Sequence, residues 1–255
     1  MPHVEEARKR RNEKLRRTRT KQTLYILAII VIACAVIIGG YLVWNSDYWL
    51  IKKVTVAGNK RVSAEEVVAL TELDADTSLL KLPKERTKAK LERHPWIKQA
   101  HLDRNLPDQL LITIKEREPF VIIKQSDKLI VLDETGFVLQ SKARTGESGI
   151  PVINGVKIVK PKIGKQYRNK RVQAVLKSLR GLDKDLREKV TWVSVSSLEN
   201  LSFQTSDGLE VIYGGPKDAV KKNFLIKKIL QEADERIIHI NVTAPDNPVV
   251  RKLDR

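Results

Sequence analysis

One run of residues constrains everything else in this chain. From Leu24 to Trp44 there are 21 residues without a charge, and at about 1.5 Å of rise per residue they make a helix of roughly 31 Å, the thickness of a bilayer's hydrocarbon core. Such a helix spans a membrane once. Residues 1–22 hold nine Lys or Arg against Glu5, Glu6 and Glu13. Since an excess of Lys and Arg marks the cytoplasmic side, the tail is expected in the cytoplasm and everything after Trp44 outside it. Tyr25, Tyr41, Trp44, Tyr48 and Trp49 cluster at the two ends of the run, where amphipathic rings favour the headgroup layer. Val31-Ile32-Ala33-Cys34 and Ala33-Cys34-Ala35 loosely match processing sites. A cut there would leave the apolar stretch Val36 to Trp44 as a new N-terminus, so retention as an anchor is expected.

Cys34 is the only cysteine, so the outer part has neither a disulfide nor a Cys-based metal site and must be held by apolar cores. Of the formal net charge of +17, the tail carries +6, which leaves +11 on residues 45–255. A basic surface of this kind suits solubility, anionic lipid or wall polymer, or nucleic acid. The expected topology removes nucleic acid as a partner of the outer part, and a juxtamembrane basic tail ordinarily sets orientation and holds anionic headgroups.

Outside the membrane, Lys52–Ala57 reads as a strand closed by a Gly58-Asn59 turn. Ser63 with Glu66 forms a capping box ahead of an apolar stripe of Ala64, Val67 and Val68. A charged helix is expected between Pro83 and Arg93, with Pro95 barring its continuation. Two alternating strands follow around Ala100 and Leu110–Lys115, across an Arg104-to-Pro107 turn. The order is β-α-α-β-β. Beyond Pro119 the pattern predicts strands at Phe120–Lys124, Lys128–Leu132, Phe137–Gln140, Val190–Ser196, Leu201–Thr205, Leu209–Tyr213 and Ile237–Val242. Helices are predicted near Asn169–Leu182 and Lys217–Glu232. Asp207-Gly208 signals a two-residue hairpin turn, and a short strand from Pro248 to Leu253 is expected to pair with Ile237–Val242. Helices beside a mostly antiparallel sheet make an α+β domain.

In order along the chain, Ile51-Lys52-Lys53-Val54-Thr55-Val56-Ala57-Gly58-Asn59, His94-Pro95-Trp96-Ile97-Lys98-Gln99-Ala100, Arg104-Asn105-Leu106-Pro107 and Glu116-Arg117-Glu118-Pro119 precede Leu132-Asp133-Glu134-Thr135-Gly136, Ile150-Pro151-Val152-Ile153-Asn154-Gly155 and Asp207-Gly208 with Gly214. This series resembles the DivIB/FtsQ family of bacterial division proteins, in particular its Gram-positive DivIB branch. The resemblance implies an α+β architecture. A single N-terminal transmembrane helix (23–44) follows the basic cytoplasmic tail (1–22) and precedes a POTRA module (49–117) and a second α+β domain with a mostly antiparallel sheet (118–255). It further implies a divisome scaffold concentrated at the septum, binding DivIC/FtsB-like and FtsL-like partners outside the membrane. In the family the last strands of the second domain accept the partner as an added strand, which maps here to Ile237–Leu253. The predicted partner-binding residues are Pro248, Val249, Val250, Arg251, Lys252 and Leu253. The chain departs from better-studied relatives in having Thr243-Ala244-Pro245 where an aromatic follows the penultimate strand.

No catalytic set emerges, and no cofactor is implied. His3, His94, His101 and His239 lie in unrelated contexts without zinc spacing. Glu65-Glu66 and Asp183/Asp185 read as solvated pairs, and Gly214-Gly215-Pro216 as a turn without the Lys-Ser/Thr of a P-loop. Lys221, Lys222, Lys227 and Lys228 recur at helical spacing and read as a solvated face, with contact to anionic wall polymer as the functional alternative. Trp96 after Pro95 is expected to plug the first module's core. A different POTRA-bearing assembly or transport factor and a membrane-anchored wall enzyme are the competing classes. The first, as a β-barrel transporter, would need many more amphipathic strands, and the second a catalytic cluster within 118–255.

Overall fold

A computed structural model of the chain describes residues 25–74, 76–125, 128–141, 149–159, 161–233 and 236–253. The expected cytoplasmic tail lies outside them. The first helix, α1, runs Tyr25–Trp44; it is long and apolar enough to cross a membrane, and its side chains are not buried against the described rest of the chain. Packing divides the chain into two compact units. Among the described residues, one joins those up to Thr55 with Leu73–Pro83 and Asp103–Leu111, and the other comprises those of Val56–Glu72, Lys84–Leu102 and from Ile112 onward.

The β-α-α-β-β order is realised by β1 (Lys53–Ala57), α2 (Ala64–Thr71), α3 (Lys84–Glu92), β2 (Ile97–Asn105) and β3 (Gln109–Glu116), with the strands in the order β1-β3-β2. Ser63 caps α2, its hydroxyl accepting the Glu66 N–H at 3.1 Å. The reciprocal half of the expected capping box is replaced, since the Glu66 carboxylate lies 3.4 Å from His94 Nε2. Gly58 takes φ +81°, and a Cβ there would sit 2.1 Å from the Ile114 carbonyl oxygen, so the turn admits only glycine. Glu116 explains why an acid ends β3. Its carboxylate accepts the N–H groups of Lys60, Arg61 and Val62 at 2.7–3.0 Å. Burial raises its pKa, and those three backbone bonds with the Arg61 charge outweigh burial and hold it below the ordinary glutamate value.

The larger sheet has nine strands in the order β12-β11-β10-β9-β8-β7-β4-β5-β6. They are β4 (Pro119–Gln125), β5 (Lys128–Asp133), β6 (Val138–Gln140), β7 (Val152–Asn154), β8 (Val190–Ser197), β9 (Asn200–Thr205), β10 (Glu210–Ile212), β11 (Ile237–Asn241) and β12 (Val249–Lys252). Among the described residues the sheet is mostly antiparallel, with parallel pairing at β4–β7, β7–β8 and β10–β11. Parallel neighbours need a crossover, and helices supply two of the three. The segment between β7 and β8 holds α4 (Lys170–Arg180) and α5 (Lys184–Lys189), and that between β10 and β11 holds α6 (Ala219–Glu232). Val172, Val175, Leu176 and Leu179 of α4 and Ile226 of α6 pack with Ile123, Ile153, Val193, Phe203, Val211 and Ile240 into one core on the helical face of the sheet.

Three expectations change here. The Asp207-Gly208 hairpin has a three-residue loop rather than two: Thr205 N–H donates to the Leu209 carbonyl at 3.0 Å and Gly208 N–H to the Thr205 carbonyl at 3.1 Å, with Gly208 at φ +86°. That is a turn closed by a left-handed glycine, and Leu209 N–H satisfies itself on the Thr205 hydroxyl. Trp96 does not plug the first module's core. It is half-buried and packs on Ile122, Val131 and Leu139 of β4, β5 and β6, with the Arg61 guanidinium 4.8 Å above its ring. Finally, Lys222 departs from the solvated face expected of Lys221, Lys222, Lys227 and Lys228, of which the other three are exposed. Lys222 is 3% exposed and donates to the Tyr213 and Gly215 carbonyls at 3.0 Å, and burial pulls its pKa down against the pull of Asp218. Lys221 pairs with Asp246, Lys227 with Asp183 at 2.7 Å, and Lys228 lies 3.9 Å from Glu232.

Candidate partner-binding edge

The expected strand from Pro248 to Leu253 is present as β12, paired antiparallel to β11 at one edge of the large sheet. Ala244–Asn247 makes the turn that reverses the chain, with Asn247 N–H donating to the Ala244 carbonyl at 3.0 Å. Thr243 N–H is held by the Asn241 side chain at 3.0 Å, and Lys221 reaches across from α6 to Asp246. The strand is therefore placed by its turn as well as by its ladder.

The two edges of this sheet differ. At the far edge, β6 is closed by the segment 164–167: Val138 N–H donates to the Lys165 carbonyl at 2.9 Å, Gly164 N–H to the Val138 carbonyl at 3.0 Å, and Tyr167 N–H to the Gly136 carbonyl at 2.8 Å. At β12, among the described residues, no strand is paired to the outer side. Exposed edge groups of this kind are templates for another strand.

Which residue faces outward follows from the register. Val242 N–H donates to the Ile212 carbonyl of β10 at 2.9 Å. By alternation Ile240 also turns its main-chain groups toward β10, and His239 and Asn241 turn theirs toward β12. Asn241 is opposite Val249 and His239 is opposite Arg251, so Val249 and Arg251 bond inward. Leu253 N–H, donating to the Arg236 carbonyl at 2.9 Å, keeps the same phase. Val250, opposite the fully buried Ile240, therefore turns its N–H and C=O to the open side. Val250 is 37% exposed and Val249 is 58% exposed. Together with Leu253 these are apolar groups that a strand added at this edge would cover. On the face away from Val250, beside Val249, Glu210, His239 and Arg251 form a polar row, with His239 Nδ1 3.1 Å from Glu210.

A second polar node was missed from sequence. Asp133, 3% exposed, takes Arg117 Nη1 at 2.8 Å, and its other oxygen accepts Thr135 N–H at 2.8 Å, Thr135 Oγ1 at 2.6 Å and Phe137 N–H at 2.9 Å. The guanidinium carbon stands 3.9 Å over the Phe137 ring. Burial raises the Asp133 pKa, and these hydrogen bonds outweigh it, so the carboxyl sits below the usual aspartate value. The signal lay in the Leu132-Asp133-Glu134-Thr135-Gly136 block, where an Asp two residues before a Thr makes an Asx turn.

A cleft of about 340 Å³ between α5 and α6 is lined by Asp183, Asn223, Lys227 and Leu230, where Asp183 and Lys227 neutralise each other. Among the described residues there is no group of three or more His, Cys, Asp or Glu side chains placed to hold a metal ion.

Comparison with known proteins agrees with the geometry. Residues 50–117 match the family model "POTRA domain, FtsQ-type", and residues 121–241 match "Cell division protein FtsQ/DivIB, C-terminal". Cell division protein FtsQ of Syntrophotalea carbinolica is 28% identical over 89% of this chain and 80% of its own length. Cell division protein DivIB of Clostridium tetani is 24% identical over 89% of this chain and 85% of its own length. FtsQ of Corynebacterium glutamicum is 21% identical over 89% and 96%. With an apolar helix ahead of a β-α-α-β-β module and a mixed sheet ending in an open strand, the chain belongs to the FtsQ/DivIB family of bacterial cell division proteins.

Proposed function

We propose that this protein is a non-enzymatic divisome scaffold. It is a single-pass type II membrane protein whose tail (1–22) is cytoplasmic and whose POTRA module (49–117) and second domain (118–255) lie outside, concentrated at the septum. Its partners are DivIC/FtsB-like and FtsL-like proteins, one of which adds a strand along Pro248, Val249, Val250, Arg251, Lys252 and Leu253. The observation that carries this reading is the asymmetry of the large sheet, closed at β6 and open at β12. Main-chain pairing gives such an interface its affinity, and side-chain pockets give its specificity. The absent aromatic at Thr243-Ala244-Pro245 leaves backbone pairing untouched. The test is binding of the purified outer parts of both partner types to the full chain in lipid nanodiscs, compared with a chain ending at Ala244. Loss of binding with the core fold retained by circular dichroism is expected. Full-strength binding by the folded truncation overturns the reading. In cells, a fluorescent fusion is expected at midcell, and an even envelope signal would instead favour a general assembly factor.

A further inference from the structure

The junction between the anchor and the first compact unit is not a free tether. Beyond α1, Asn45 N–H and Nδ2 both donate to the Tyr41 carbonyl, at 3.1 and 2.9 Å. Asp47–Trp49 forms a short 3-10 turn capped by the Ser46 hydroxyl. The turn aims the Trp49 indole back at the helix, where Nε1 donates to the Val43 carbonyl at 2.7 Å. The Trp49 carbonyl in turn accepts the Leu79 N–H at 2.7 Å. A single residue thus bridges the last turn of α1 and the loop Thr77–Leu82. Two more links fix that loop: Ile51 N–H donates to the Thr77 carbonyl at 3.1 Å, and Lys81 Nζ to Asn45 Oδ1 at 2.7 Å. Leu79 is fully buried, so the loop has its own packing support.

The position of the hydrocarbon boundary follows from α1. Its 20 residues span about 30 Å, the whole apolar layer, so that layer ends near Trp44. Beyond it lies a headgroup layer of about 5–8 Å on each side. Tyr48, 59% exposed and edge-on to Trp49 at 5.1 Å between ring centres, falls in that layer, where such rings settle. We propose that the loop Thr77–Leu82 rests in the same layer, making phospholipid headgroups a ligand of this unit and letting anchor and loop move as one body. The proposal depends on the reading of α1 as a span. It does not depend on charge, because in this unit outside the membrane Lys52, Lys53, Lys81 and Arg104 face five aspartates.

The test uses the full chain in nanodiscs with Cys34→Ala, so that one introduced cysteine carries an environment-sensitive fluorophore. A label at Asp76→Cys is expected to be quenched by nitroxide-headgroup phosphatidylcholine at least half as efficiently as one at Tyr48→Cys. The quenching is expected to be equal in zwitterionic and phosphatidylglycerol-containing discs and unchanged by salt. Trp49→Phe, which keeps a ring and removes the indole donor, is expected to lower quenching at position 76 at least twofold. No quenching at 76 while a label at Val43→Cys is quenched by chain-nitroxide lipid overturns the headgroup contact and leaves the anchor standing. No quenching at 43 removes the anchor and the contact together. Quenching at 76 that needs anionic lipid and disappears in salt overturns the hydrogen-bonded seat in favour of simple attraction.

Discussion

Proline at two adjacent positions of β12 separates the open edge from the ladder. Val250 opposes Ile240 and turns its N–H outward, whereas Val249 opposes Asn241 and donates inward. A Val250→Pro change removes no ladder bond, and proline's fixed φ is tolerated on an edge strand. Its effect on stability is expected within about 0.5 kcal/mol, as for other surface changes. An added partner strand, however, loses one donated bond and keeps a covered carbonyl without a donor, which costs about 1–3 kcal/mol. That is a loss of affinity of about 5- to 150-fold. The ring also blocks close approach of the incoming strand, which favours the upper end. Val249→Pro instead breaks the bond to Asn241 and releases β12, so amide exchange across β11 and β12 should accelerate. The assay pairs partner affinity, measured with the full chain in nanodiscs, with hydrogen exchange of Ile237–Leu253. Val250→Pro binding within twofold of the parent, with β11 and β12 still protected, refutes the open-edge argument. Equal loss of protection in both variants refutes the assigned phase.

Removing the Asp133 charge by Asp133→Asn leaves the Arg117 guanidinium buried beside Phe137 without its counter-ion, and about 3 kcal/mol of stability is expected to go, read as a lower thermal midpoint. Because the folded Asp133 pKa is depressed, its contribution is complete above the unfolded value near 3.9 and is lost as pH falls through the lower folded value, so the Asn variant should show a flatter acid limb in a pH titration of stability. For Trp96→Ala the half-buried position on Ile122, Val131 and Leu139 implies a cost of about 1–2 kcal/mol, below the 3–5 typical of a fully buried aromatic; a loss in that higher range would show that the ring is more enclosed than its packing indicates. Changing most of the nine basic residues of the tail to Gln is expected to let a fraction of molecules insert inverted, measured as outer part resistant to protease added outside cells, and complete digestion would show that another feature sets topology.

What could be read from the sequence tracks the range of the forces involved. The β-α-α-β-β module was legible because each element carries its own signal: Ser63 before an apolar stripe, Pro83 and Pro95 around a charged helix, alternation along Leu110–Ile114. In the second domain, β7 and α5 carry no such local signal. Three residues, Val152–Asn154, become a strand only because β4 and β8 lie parallel on either side, and six residues of Lys184–Lys189 hold no helical period. Lys222 looked like one more lysine of a solvated face until the turn at Gly214 and Gly215 offered it two carbonyls. The core that Trp96 joins is not marked near it in sequence, because the residues it packs on, Ile122, Val131 and Leu139, lie 26 to 43 positions away.

The candidate edge shows the same division more sharply. Apolar residues after Pro248 and a preceding strand of matching length were enough to expect β12 and its neighbour. Whether Val249 or Val250 faces the open side was not readable, because a strand has no marker of phase in its own residues. The phase is inherited from β11, which takes it from β10 through the bond between Val242 and Ile212. The register slip between Ile237 and His239 then falls beyond the pairs that matter, leaving Asn241 with Val249 and Ile240 with Val250 in step. One residue more or fewer in the Ala244–Asn247 turn would exchange the roles of the two valines without altering a single residue of β12. An insertion there should therefore move the proline-sensitive position from Val250 to Val249.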